Sequence, residues 1–371
     1  MPRNRDFPEK AYTDLAYPKV RVKDRSLRRR ILSERVKQLE LSSKTSVADL
    51  VEGMADMSIQ ARNIGQCAQV LKRMYADRQR PTVLLGLAGP LIAAGLRGVI
   101  RDLIVNKAVD VVVSTGAIIY QDIYAAFGHG HFKGAPNSDD AALTDLNVDR
   151  IYDTYIDDEL VMRTDRFCKL VADEMRPGNY SSRLYLEKLA ERLGDEGSIL
   201  YQCKKHGVPV FVPALNDSSI GIGLTEHQVM ARKAKRPFVA IDAIQDNYEL
   251  VQLVVKSAKT AAFYVAGGVP KNYINDSIVM GYIFGLDRGH DYAVQVTTAV
   301  TQDGGLSSST LSEGRSWGKI KKDARYAMAW VEPSVSLPLL TGYILGRGLT
   351  KKRPRLRLKW EGPELKWLKK T

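Results

Sequence analysis

The sequence predicts an α/β protein with a doubly wound, mainly parallel sheet and helices on both faces, preceded by a helical segment. Three observations carry that expectation. From residue 82 onward, short β-branched or aliphatic runs ending in glycine or a polar residue alternate with helical stretches, which is how βαβ units read. The 371 residues, 44% hydrophobic with 15 prolines, can fill a large core and do not describe a disordered chain. The net charge of +13 belongs to the ends: residues 1–40 hold 12 basic and 6 acidic groups, residues 351–371 hold 9 and 2, and 34 of each sign lie between. The expected organisation is a basic arm and helical entry segment over 1–80, a Rossmann-like domain over 81–349, and a basic tail over 350–371.

In chain order, residues 20–80 place Leu27, Ile31 and Val36, then Leu50, Met54 and Met57, at helical spacing, with Ser46 suited to cap a helix that starts at Val47. TVLLGLAGP then leads into LIAAGLRGVIRDLIVN, and VDVVVSTGA into IIYQDIYAAFG. Residues 130–200 form a more polar insertion, suited to a lid, a subunit contact or a binding surface. PVFVPALNDSS, RPFVAIDAIQ, TAAFYVAGGVPKNYIND and YAVQVTTAV resume the alternation.

No apolar run reaches the roughly eighteen residues that span a bilayer, and MPRNRDFPEK lacks the apolar core of a signal peptide. The expectation is a soluble, cytoplasmic protein without a membrane partner. Cys67, Cys168 and Cys203 are widely separated, which argues against a disulfide framework or structural zinc. A tail reading KKRPRLRLKW could meet nucleic acid or an acidic membrane surface; a solvated extension or subunit-packing arm is the reading favoured over it.

Glycine-rich turns at strand ends let backbone N–H groups approach phosphates. Gly86, Gly89 and Gly95 in one turn and Gly267 and Gly268 in another are candidates, and tight helix–strand packing explains them equally well; neither follows the GxGxxG spacing. STGA offers Ser114 and Thr115 at a strand end. Asp217, directly after an apolar strand, could hold ribose hydroxyls or a cation, or cap a helix. HGH at 129–131 has no third ligand nearby, so no metal is expected. EGRSWGKI places Glu313, Trp317 and Lys319 together. A lysine desolvated against an indole becomes a nucleophile, whereas composition alone fits an exposed lysine beside a packed tryptophan.

Taken in order, LGLAGPLIAAGLRGVIRDL, VDVVVSTGA, GVPVFVPALNDSS, AGGVPKNYI, DYAVQVTTA, SEGRSWGKI and SLPLL resemble the deoxyhypusine synthase family over roughly residues 80–345. The resemblance implies an NAD-dependent transfer. Hydride leaves the carbon beside a polyamine's secondary amine, the imine loses diaminopropane, and the butyl-imine portion passes to the active lysine. An acceptor amine then takes the aminobutyl group and the imine is reduced. The acceptor is a lysine of the translation factor 5A precursor, or putrescine in related homospermidine synthases.

Carried over by position, the resemblance makes Lys319 the covalent residue, Trp317 the apolar wall along spermidine or a related polyamine, and Glu313 the holder of a substrate ammonium. Gly89, Thr115, Gly116, Asp217, Gly267, Gly268, Thr298, Asp303, Gly304 and Glu332 fall on NAD-contacting positions, Glu332 replacing the usual aspartate. It further implies a homotetramer with sites at dimer interfaces. The departures concern the substrate grip: Ile222 and Leu306 replace two polyamine-binding aspartates, and Tyr273 takes the place of a substrate-binding histidine. Tyr120 and Gln121 stand where a glutamate is usual, and Ala88, Gly89 and Pro90 replace the first turn's TSN. The pattern matches a divergent bacterial and archaeal branch. A non-catalytic NAD- or RNA-binding homologue and an NAD-dependent amine oxidoreductase are the alternative readings.

Overall fold

The computed structural model describes residues 22–370. The described residues fall into two units, one ending at Gln38 and the other beginning at Leu39. In the first, the helix Arg25–Ile31 is capped by Asp24, which accepts from the backbone N–H groups of Ser26 and Leu27. The second contains everything else. The boundary therefore falls after Gln38 and not at residue 80, because the helices Val47–Met54 and Ile59–Ala76 pack into the main core through Val51, Ile64, Cys67 and Leu71. Ser46 and Asp49 form a reciprocal capping box at the start of the first of these helices.

Six strands form the central sheet: β1 (Thr82–Leu87), β2 (Val111–Ser114), β3 (Val210–Phe211), β4 (Thr260–Val265), β5 (His290–Val296) and β6 (Ile320–Ala329). They lie in the order β6-β5-β4-β1-β2-β3, each pair parallel. This is the doubly wound Rossmann order, in which the winding reverses between β1 and β4.

Side-chain alternation divides the interior in two. Val83, Leu85 and Leu87 of β1, with Ala261, Phe263 and Val265 of β4, join the larger core cluster, while Leu84, Ala262 and Tyr264 join the other. Because both faces are covered, β1 and β4 are buried along their whole length, and each fully buried aliphatic side chain contributes about 1.5–3 kcal/mol.

Two sequence expectations take another form. Val239–Ile241, in RPFVAIDAIQ, pairs with Gly178–Tyr180 in a separate two-stranded sheet. The C-terminal segment is an antiparallel hairpin, Leu356–Glu361 with Glu364–Lys370, so residue 350 starts no separate tail. Its leucines and Trp360 alternate with its charges, which brings Leu358, Leu365 and Leu368 into the core cluster that holds Leu250, Leu253 and Val254. Arg353 anchors its base: with Arg80 it encloses the buried Asp110 carboxylate, which both guanidiniums bond at 2.6 Å. The polar insertion carries a three-stranded antiparallel sheet, Phe132–Lys133, Val148–Ile151 and Thr154–Asp157. No helix among the described residues is long and apolar enough to cross a membrane.

Candidate active site

The loops leaving β1 and β4 meet at the winding reversal. A Cβ built on Gly268 would lie 3.7 Å from the Cβ of Ala88, and one on Gly89 4.0 Å from that of Ala266. Gly89 and Gly268 both have positive φ, +88° and +60°, which explains glycine at these turns. Gly267 serves close approach: a Cβ there would lie 2.6 Å from the Ser307 Cα.

Three helices start at this carboxyl edge, at Gly116, Ser219 and Gly268, behind Thr115, Ser218 and Gly267. None of these caps makes a side-chain bond to its helix. Ser307 Oγ accepts from Gly268 N–H at 2.9 Å, and the other first-turn N–H groups lie at the positive ends of helix dipoles. Asp217, Thr298, Asp303 and Gly304 follow β3 and β5 on the same edge and are exposed. Glu332, after β6, caps the helix Pro333–Gly346 through one oxygen, which accepts from Ser334 N–H at 2.7 Å. Uncapped helix starts for phosphates and carboxylates for ribose hydroxyls make this edge chemically suited to a dinucleotide.

The lysine segment is built by a helix stop. The short helix Leu311–Ser316 starts on a capping box in which the Glu313 carboxylate accepts from Thr310 N–H at 2.6 Å; these bonds hold Glu313 below the usual carboxylate range. It ends on Gly318 at φ +69°. Gly318 N–H donates to Arg315 C=O at 3.2 Å and Lys319 N–H to Gly314 C=O at 2.9 Å, the two bonds of a Schellman motif. Lys319 C=O then accepts from His290 N–H at 3.0 Å. The WGK spacing thus fixes the lysine backbone from both sides.

The Lys319 side chain is 16% exposed. Its Nζ lies 3.3 Å from Asn272 Oδ1, 3.2 Å from Asp276 Oδ1 and 5.6 Å from the centre of the Trp317 ring, which is 72% exposed. Asn272 and Asp276 are four residues apart on the helix Gly268–Val279, hence on one face. That helix starts at the winding reversal and carries the site toward the lysine. Lys271, on the same helix, is almost wholly buried; its ammonium donates to Leu306 C=O, Ser309 C=O and Ser309 Oγ at 3.0, 2.6 and 3.1 Å.

The expected residues therefore fall into two groups, one along the carboxyl edge and one around Lys319. Tyr273 is placed elsewhere: it is 9% exposed, packs with Leu250 and Ile274, and its hydroxyl has no partner among the described residues. Asn272, one position earlier and about 100° around the helix, faces the lysine instead. Ile222 is exposed on the helix Ser219–Lys233, and Leu306 contributes its carbonyl to Lys271. Asn272, Asp276 and Lys271 escape sequence reasoning, although the four-residue spacing within KNYIND could have pointed to the first two. His129 and His131 rest against Tyr124, with ring centres 4.9 and 5.7 Å away. No cluster of metal-ligating side chains occurs among the described residues.

Comparison with known proteins gives a consistent result. Residues 49–344 match the family model for deoxyhypusine synthase. The chain is 40% identical to the deoxyhypusine synthase-like protein of Chlorobaculum parvum over 331 residues, covering 87% of this chain and 93% of that one. It is 37% identical to the deoxyhypusine synthase-like protein of Coxiella burnetii, covering 88% and 94%. A crystal structure from Entamoeba histolytica, described provisionally as a deoxyhypusine synthase, shares the fold with a TM-score of 0.59 at 20% identity, over 84% of this chain and 97% of that one.

Proposed function

The chain belongs to the deoxyhypusine synthase family, and we propose that it is an NAD-dependent transferase moving an aminobutyl-type group from a polyamine to an acceptor amine through Lys319. The observation that carries this reading is the enclosure of the Lys319 amine by Asn272, Asp276 and the Trp317 ring on a backbone fixed by the Schellman turn. NAD, when bound, supplies the acceptor for the hydride that leaves the amine-bearing carbon. Gly89, Thr115, Gly116, Gly267 and Gly268 would approach its phosphates through backbone groups, with Thr298 and Gly304 beside them and Asp217, Asp303 and Glu332 offering acceptors to hydroxyls.

Within the chain's own chemistry, Trp317 forms an apolar wall along the donor, Asp276 and Glu313 attract its ammonium groups, and Lys319 Nζ attacks the imine carbon, after which the donor's C–N bond breaks and the diamine portion leaves as the free amine. The group then rests on the lysine until an acceptor arrives, either a protein lysine such as that of the translation factor 5A precursor or a small diamine. Ile222 and Leu306 provide no carboxylate, so the donor's grip depends on the lysine's own surroundings.

A homo-oligomer, with the tetramer as the expected state, is part of the reading. The exposed stripe of Ile222, Val229 and Met230 on the helix Ser219–Lys233 supports a subunit contact. The test is incubation with NAD, spermidine and cyanoborohydride, followed by peptide mass spectrometry. A stable adduct on Lys319, absent from Lys319→Ala, is expected. No adduct with spermidine, putrescine or agmatine, together with no NAD binding, would refute the reading.

A further inference from the structure

The three polar groups around the lysine amine close a ring. Lys319 Nζ donates to Asn272 Oδ1 at 3.3 Å and pairs with Asp276 Oδ1 at 3.2 Å, while Asn272 Nδ2 donates to Asp276 Oδ2 at 2.9 Å. The asparagine amide therefore fixes the carboxylate through one oxygen and aims the other at the lysine nitrogen. Exposure is graded across the pair: the lysine is 16% and the aspartate 44% exposed, so the aspartate is the more open of the two to solvent. Glu313 lies six residues before Lys319 in the same segment, and one of its oxygens is committed to the Thr310 N–H and hydroxyl. The remaining charged neighbour, Lys271, is bound to the loop that holds Leu306 and Ser309.

Building on the transferase reading, we propose that Asp276 is the catalytic residue that carries the proton when the group leaves Lys319. An acceptor primary amine arrives as an ammonium. Asp276 Oδ1 takes its proton, and the freed lone pair forms the new C–N bond to the lysine-bound imine carbon, giving an aminal. Protons redistribute between the two nitrogens, the C–Nζ bond breaks, and the acceptor leaves as the imine. The proton held by Asp276 passes to Nζ. One ammonium enters, one lysine ammonium is restored, and no electrons are transferred. Asn272 acts as a positioning residue for the carboxylate.

The step can be observed without cofactor or polyamine oxidation. Wild type, Asp276→Asn, Asp276→Glu and Asn272→Ser receive butanal, and Lys319 loading is read by cyanoborohydride trapping and mass spectrometry. Loaded samples then receive 1,4-diaminobutane before the reductant, and loss of the Lys319 adduct is timed against Lys319→Ala as the solution background. Asp276→Asn should still form the trapped Lys319 adduct but release the group about 100-fold more slowly or worse, the range for general acid–base assistance. Asp276→Glu should recover a tenth or more of the rate, Asn272→Ser should slow it about tenfold, and all should melt as wild type does. Release from Asp276→Asn within twofold of wild type overturns the proposal, as does loss of loading in a variant that melts normally. If Asp276→Asn does not fold, the Asn272→Ser rate decides. Failure of wild-type Lys319 to load counts against the transferase reading itself.

Discussion

The Lys271 ammonium donates to the Ser309 carbonyl at 2.6 Å, tying the helix that faces Lys319 to the loop leading into the lysine segment. Replacing Lys271 by methionine keeps much of the volume but leaves two loop carbonyls without this donor. The expected cost is about 1–3 kcal/mol, read as a lower denaturant midpoint, with poorer trapping at Lys319. Burial pushes the Lys271 amine down from 10.5 to about 8, with Glu313 opposing and Lys319 assisting. Between those values the unfolded chain holds a proton that the native one has lost, so wild-type stability relative to Lys271→Met should rise with pH across that window.

Gly318→Ala tests the helix stop. At φ +69° a Cβ costs roughly 1–2 kcal/mol, and no heavy atom crowds the position. The protein should fold with a small loss of stability. Lys319 loading by an aldehyde should fall further than stability does, because the strained residue directly precedes the lysine.

Asp110→Asn leaves Arg80 and Arg353 buried without their shared counter-charge, and about 3–5 kcal/mol of stability should be lost. Burial pushes the Asp110 carboxyl up, but Arg353 and Arg80 prevail and hold it down at about 2. Its contribution is complete above the unfolded value near 3.8 and disappears as pH falls through about 2. The gap between wild-type and mutant melting temperatures should narrow over that acid range.

Asp246 carries the opposite sign. Burial raises its carboxyl to about 7, with Ser182 opposing, and its Oδ2 has no partner among the described residues. From about pH 4 to 7 the native state keeps a proton that the unfolded chain releases, so rising pH destabilises the fold. Asp246→Asn should therefore gain on wild type by on the order of 1 kcal/mol per pH unit over this window, measured by denaturation at several pH values.

The middle of the sheet could be read from sequence because β1 and β4 are buried on both faces and appear as largely apolar runs, TVLLGL and TAAFYV. The C-terminal hairpin could not be read so directly, since its lysines and arginines dominate the composition while its leucines alternate beneath them. Around the lysine, Gly318 and Lys319 were legible as a short motif. Asn272 and Asp276 were not, because their relation to Lys319 depends on how a helix 47 residues upstream is rotated. That rotation also separates Asn272 from Tyr273, which carries the bulkier ring into the core.

The winding reversal also determines when the sheet can close. β1 pairs with β4 through Thr82 and Thr260, so the middle of the sheet must wait for a partner from far along the chain, and long-range pairing of this kind slows folding. A nascent chain that has reached residue 250 has β1 and β2 but presents β1 with a bare hydrogen-bonding edge of apolar sequence. Such an edge is a template for other strands; during synthesis, the middle of the sheet is the place most exposed to misassembly.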